Sequence, residues 1–248
     1  MEHTRFARVI ARRRRLRTLL PPRFETRLEG ATVQALRRRG KYLVADLSTG
    51  ATLVMHLGMS GSFEIRRSEI PFTAHDHVIF YMANGSIVVF NDPRRFGSMW
   101  LFEDAAHRRS PLRSLGPEPL DNDFGIDALA TALRGRRAPL KSALSDQRVV
   151  AGLGNIYVSE ALHRARLSPR RAAGSLVSAS GAPKPALNAL VGAIRDTLTD
   201  ALADDGGYER LRVYDREGGR CPRRGCGGTI RRIVQAGRST FYCPRCQR

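Results

Sequence analysis

Four cysteines, all in the last 28 residues, restrict what this chain can fold into more than any other feature. They stand as Cys221-Pro-Arg-Arg-Gly-Cys226, then sixteen residues, then Cys243-Pro-Arg-Cys246. Two short cysteine loops of this kind can close a tetrahedral thiolate site, and the intervening TIRRIVQAGRSTFY is long enough for a β-hairpin. The spacing predicts a zinc ribbon in which Cys221, Cys226, Cys243 and Cys246 hold one structural zinc ion. Four protein ligands leave no open coordination position, so the metal folds the module and does no chemistry. Paired, clustered cysteines also argue for a reducing compartment and against a secreted disulfide framework. Arg231, Arg232 and Arg238 would stand on the hairpin, facing a phosphate backbone or solvent.

Charge narrows the choice of partner. A formal net charge of +19 over 248 residues calls for a polyanion, most simply nucleic-acid phosphate. Arginine loading of an ordinary surface is the plain alternative, because Lys41, Lys141 and Lys184 are the only lysines among 42 basic residues. No run of about 20 apolar residues exists to span a membrane. The opening MEHTRFARVIARRRRLRTLL is arginine-rich and acid-poor like a transit peptide, but it lacks serine enrichment and runs directly into folded-looking sequence.

Residues 41–102 alternate β-rich runs with turn signals. KYLVADL and ATLVMHL flank Ser48-Thr49-Gly50, while HVIFYMA and SIVVF flank Asn84-Gly85, a strong hairpin signal. An antiparallel sandwich or barrel fragment is expected. SLGPEPLDNDFG at 114–125 is rich in Pro, Gly and Asp without periodicity and reads as a linker. From 126 the period becomes helical: Leu187, Leu190, Val191, Ile194, Leu198 and Leu202 share one face. VVAGLGN sits between two helical stretches, its glycines permitting a tight turn and Asn155 expected as N-cap of the helix that follows. Such a turn presents N–H groups and a positive dipole end to an anion, though a plain helix-helix turn looks the same. Asn91-Asp-Pro-Arg-Arg-Phe-Gly97 is a turn that sets an aromatic beside cations, either ordinary surface or a wedge for a base stack.

The order KYL, HLGMSG, HDHV, NDPRRFG, LGPEPL, APLKSALSDQRVVAGLGNIYVSEAL and GRSTFYCPRCQ resembles the formamidopyrimidine-DNA glycosylases, relatives of the Nei enzymes, from about residue 20 to the end. The resemblance implies an α+β protein with an antiparallel β-sandwich over 1–113, incomplete at its start, a linker at 114–125, a helix-two-turn-helix domain over 126–206 and a zinc finger over 207–248. It implies base excision repair as a bifunctional DNA glycosylase and AP lyase. Oxidised purines such as 8-oxoguanine and formamidopyrimidine would be released and the strand cut by β,δ-elimination. The partner would be double-stranded DNA with oxidised bases or abasic sites, bound by a monomer in a bacterial cytoplasm at the nucleoid. By the same resemblance, Lys41 contacts the lesion phosphates and assists elimination. Met59, Arg94 and Phe96 fill the hole left by an everted nucleotide, and His56 and His75 contact DNA. Asn155 and Arg238 clamp phosphate, with Arg238 grouped beside Lys41 near the reaction. Lys141 lies near the lesion, and Arg137 stands where relatives often carry a DNA-contacting lysine.

Two departures accompany the resemblance. Members begin with a Pro-Glu-Leu-Pro-Glu-Val-Glu-like stretch, whose proline amine attacks the sugar C1′ and whose glutamate handles protons; no such stretch occurs here. The first helix and first strand are expected to be missing, leaving the sandwich with an exposed edge and the chain impaired or inactive. At 205–212, DDGGYERL replaces a longer segment that closes over the everted base. A noncatalytic, zinc-containing protein that binds damaged DNA is the second reading. An RNA-binding or transcription-type zinc ribbon explains charge and cysteines but not HLGMSG or LSDQRVVAGLGNIYVSE.

Overall fold

A computed structural model describes residues 1–68, 71–103, 110–203 and 211–248, and these divide into two compact units, Met1–Arg113 and Ser114–Arg248. In unit 1 the chain runs β1 (Phe6–Ala11), α1 (Phe24–Leu28), β2 (Val33–Arg39), β3 (Tyr42–Leu47), β4 (Thr52–His56), β5 (Ser62–Arg66), β6 (Asp76–Met82), β7 (Ile87–Asn91) and β8 (Ser98–Phe102). Two four-stranded antiparallel sheets result, ordered β1-β6-β7-β5 and β2-β3-β4-β8. Their apolar residues share one core that includes Phe6, Phe80, Phe90, Leu53 and Met55, all essentially buried. Each such side chain contributes roughly 2 kcal/mol on leaving water. The Asn84-Gly85 turn joins β6 to β7 as expected, with Gly85 at φ +82° and the Met82 N–H donating to Ser86 O.

The start of the chain is better covered than the sequence suggests. β1 buries Phe6 and Val9, and its first residues also bond to residues 30–33, the Phe6 N–H donating to Ala31 O and the Gly30 N–H to Phe6 O. Further along, Glu29 and Glu25 of the α1 region accept from the Val9 and Ala11 N–H groups, each at 3.0 Å. Phe24 and Leu28 of the same short helix plug the core. Carboxylates thus take over strand N–H groups that would otherwise lie open at a sheet edge.

Unit 2 contains α2 (Ile126–Leu133), α3 (Leu140–Ser145), α4 (Asn155–Arg164), α5 (Pro185–Ala203), β9 (Arg231–Gln235) and β10 (Arg238–Tyr242). Leu187, Leu190, Val191 and Ile194 of α5 enter a core built with α2, α3 and α4, and Leu198 packs against it, whereas Leu202 is exposed. Residues 114–125, expected as a linker, are docked within this unit. Gly116 N–H donates to Gln147 O, Ala151 N–H to Pro117 O, and Arg195 spans the Pro119, Asp121 and Phe124 carbonyls. β9 and β10 form the expected hairpin through Ala236 and Gly237, both at positive φ, the geometry that matches strand twist in a two-residue turn.

Candidate nucleic-acid interface

In unit 1 two loops meet, each offering an exposed apolar side chain. The loop after β4 carries Met59, 72% exposed, and the loop after β7 carries Phe96, 37% exposed. One buried carboxylate joins them: Asp92 Oδ1 accepts from Ser60 Oγ at 2.7 Å and Oδ2 from the Gly97 N–H at 2.7 Å. Ser60 Oγ in turn accepts from the Arg94 N–H. The backbones approach so closely that a Cβ on Gly58, which sits at φ +75°, would lie 2.4 Å from the Phe96 carbonyl carbon, so only glycine fits both the conformation and the space. The Arg94 guanidinium lies 4.7 Å from the Phe96 ring centroid, a cation-aromatic pair that holds the ring while leaving its edge to solvent.

Beside this projection lies a basic group. Lys41 is exposed in the two-residue turn between β2 and β3, after Gly40 at φ +58°. The His56 Nδ1 accepts from the Gly58 N–H at 2.9 Å. Burial first, then the charges of Lys41 and Arg17, hold the His56 pKa below its ordinary value. A neutral ring whose Nδ1 accepts carries its proton on Nε2, ready to donate to an anion. His75 is exposed just before β6, its carbonyl accepting from the Asp92 N–H of the loop after β7. The basic opening stretch therefore splits in two. Phe6–Ala11 is strand, and residues 12–20 form a loop pinned to the projection by the Arg17 N–H donating to Gly97 O.

Unit 2 gathers its candidates around one carbonyl. Asn155 is the first residue of α4 and not its cap, which is Gly154. Its Nδ2 donates to Ser239 O at 3.0 Å and lies 3.3 Å from the Tyr214 hydroxyl, while its Oδ1 is buried with no partner among the described residues. The N-cap role expected from sequence thus gives way to a tie between α4 and β10. Lys141, 1% exposed, reaches the same Ser239 carbonyl at 3.5 Å, and burial followed by the Arg238 charge lowers its pKa to about 8. Arg238 opens β10 and is exposed, as is Arg137 in the turn between α2 and α3.

The cysteines fit zinc. A Zn–S bond of about 2.3 Å puts tetrahedral sulfurs about 3.8 Å apart. Cys221 and Cys246 Sγ are 3.8 Å apart, Cys226 and Cys243 Sγ 3.6 Å, and all four lie within 4.8 Å of one another. Burial, then the Cys243 and Cys221 sulfurs, push the Cys246 thiol up to about 12, so the quartet ionises together only around a cation. The four side chains form a zinc-binding site, and they supply half of a small core that also holds Val213, Tyr214, Ile230 and Phe241.

Sequence reasoning missed the residues that hold these groups. Asp92, Ser60, Arg17, Tyr214 and Glu160 have partners far along the chain; Glu160 accepts from the Arg212, Val213 and Tyr214 N–H groups. Only the Asp in an Asp-Pro turn carried a local signal, as a turn former. The expectation of a shortened loop at 205–212 falls largely on residues 204–210, outside the described residues.

A β-sandwich with a two-loop projection, then a helical unit with a four-cysteine hairpin, defines a three-part class, and comparison with known proteins finds the same three parts in order. Family models match residues 1–99 (Formamidopyrimidine-DNA glycosylase N-terminal domain), 115–212 (Formamidopyrimidine-DNA glycosylase H2TH domain) and 218–248 (Zinc finger found in FPG and IleRS). The formamidopyrimidine-DNA glycosylase of Azorhizobium caulinodans is 52% identical, over 96% of this chain and 91% of the relative. That of a Bradyrhizobium species is 48% identical, over 100% and 94%. Lactococcus lactis Fpg bound non-covalently to DNA containing an AP site superimposes with TM-score 0.88 at 31% identity, over 100% of this chain and 94% of that one. Thermus thermophilus MutM gives 0.84 at 36% identity, over 100% and 92%. The chain belongs to the formamidopyrimidine-DNA glycosylase family.

Proposed function

We propose that the protein acts in base excision repair as a DNA glycosylase with AP lyase activity on oxidised purines in duplex DNA. The observation that carries this is the projection built by Asp92, which presents Met59 and Phe96 with Arg94 stacked on the ring. An enzyme that acts on a base outside the stack must fill the space the base leaves, and exposed apolar groups on a rigid turn suit that task. Lys41, His56 and His75 surround the projection with donors for the damaged strand. In unit 2, Asn155 and Arg238 serve as the phosphate clamp, with Lys141 buried beneath them near the lesion, held to the same Ser239 carbonyl as Asn155, and Arg137 adding charge. Phosphate contacts position the protein, while the everted base supplies selectivity.

The resemblance implies a proline amine as nucleophile with a glutamate beside it, and the residues given hold no proline before Pro21. A second reading keeps the zinc and the DNA contacts without the chemistry: a noncatalytic zinc protein that binds damaged DNA. The 248-residue polypeptide should bind an abasic-site duplex yet give little or no covalent adduct with borohydride. The same polypeptide behind a relative's Met-Pro-Glu-led segment should trap the adduct and release 8-oxoguanine. If the extended protein binds the damaged duplex but releases no base, the second reading replaces the first. A strong adduct with the 248-residue polypeptide would instead assign the amine to a lysine, with Lys41 or Lys141 as candidates.

A further inference from the structure

The cysteine module is joined to α4 at several points, and one joint reaches a metal ligand. In the last turn of α4, Arg223 from the first cysteine loop donates to the carbonyls of His163, at 2.8 Å, and Arg164, at 3.2 Å. The His163 ring is fully buried, and its Nε2 lies 3.4 Å from Cys221 Sγ. Its other nitrogen, Nδ1, is buried with no hydrogen-bond partner among the described residues.

That pairing selects the tautomer. A proton on Nδ1 would leave a buried N–H unpaired and aim the Nε2 lone pair at sulfur, which is unfavourable twice over. A proton on Nε2 leaves only an unpaired acceptor and points the N–H at the thiolate. We propose that His163 is a positioning residue for the zinc site, its Nε2–H donating to the Cys221 thiolate and fastening that ligand to α4. The need is electrostatic. Four thiolates around one dication leave a net negative charge in a largely buried site, and N–H donors to sulfur spread it. The Arg223 backbone N–H also points at Cys221 sulfur, so this ligand is held by donors from two segments, one of them 58 residues away.

The test uses the full zinc-loaded protein. His163→Phe keeps a ring in place but removes the donor, whereas His163→Gln returns an N–H close to the position of Nε2. Zinc transfer to an excess of a chromophoric chelator should be about tenfold faster in His163→Phe, the scale on which outer-shell partners act. The sulfur-to-metal charge-transfer band of the cobalt-substituted protein should move to lower energy, and His163→Gln should restore both. Wild-type release and spectrum in His163→Phe, or release from His163→Gln as fast as from His163→Phe, would overturn the proposal. A measurement on the unaltered protein stands independently of how the variants fold. Long-range 1H–15N spectra at neutral pH should show the His163 proton on Nε2, and a proton on Nδ1 would refute the assignment.

Discussion

The two units reach rigid surface groups by different means. In unit 1 the projection of Met59 and Phe96 is held by one buried carboxylate, a close-packed glycine and a sandwich core large enough to stand alone. In unit 2 the hairpin that holds Asn155 and Lys141 through Ser239 belongs to a module half of whose small core is its four cysteines. A small module cannot bury enough apolar surface to fold by itself, so a metal supplies the difference. Zinc removal should therefore separate the two halves of the function. Cys243→Ser should lower duplex affinity at least ~100-fold, given the many kcal/mol a structural zinc contributes. The β-sheet circular dichroism of unit 1 should survive. Equal loss of signal from both units would break the comparison.

A second expectation concerns the kind of contact each unit makes. Phe96→Ala should weaken binding to an abasic-site duplex by roughly 1–3 kcal/mol, the usual scale of base-aromatic contacts, with little effect on undamaged duplex. Asn155→Ala should cost about 1 kcal/mol on both. Titrations of the two duplexes by fluorescence anisotropy compare these effects directly; identical profiles for the two variants would mean that the division of labour is wrong.

The smallest effect follows from Lys141. Its pKa of about 8, against an ordinary 10.5, means the folded protein sheds this proton before the unfolded chain does. Between these values the unfolded chain holds more protons, so stability rises with pH as the buried charge disappears. DNA affinity should move the opposite way. From pH 7 to pH 9 the slope of log affinity against log salt should shrink by up to about one unit, as one positive charge behind the phosphate clamp is lost. Lys141→Met should show the smaller slope at both pH values.

What could be read from sequence was local. The cysteine spacing specified the ribbon and the hairpin between its loops, Asn84-Gly85 marks a turn that the structure keeps, and the apolar face of α5 is buried where its period placed it as far as Leu198, with Leu202 left exposed. The remainder depends on partners distant in the chain. The side chain of Asn155 was expected to cap its own helix, but its strongest partner lies 84 residues on. Residues 114–125 have a linker's composition, yet their carbonyls are claimed by Arg195 more than 70 residues away. Asp92 reaches Ser60 across 32 residues. None of these ties leaves a periodic or compositional trace, because each is made by one polar group meeting another after the fold has formed.

On the proposed function, a zinc-dependent clamp and a metal-independent projection each contribute to recognising a gap in the base stack. The most direct test is equilibrium binding of the 248-residue polypeptide to matched abasic-site and undamaged duplexes, with zinc bound and after its removal. The abasic-site duplex should be preferred by at least about tenfold, the scale of one base-aromatic contact, and zinc removal should weaken binding to both. Equal affinity for the two duplexes, or binding unchanged by zinc removal, would refute that division of roles.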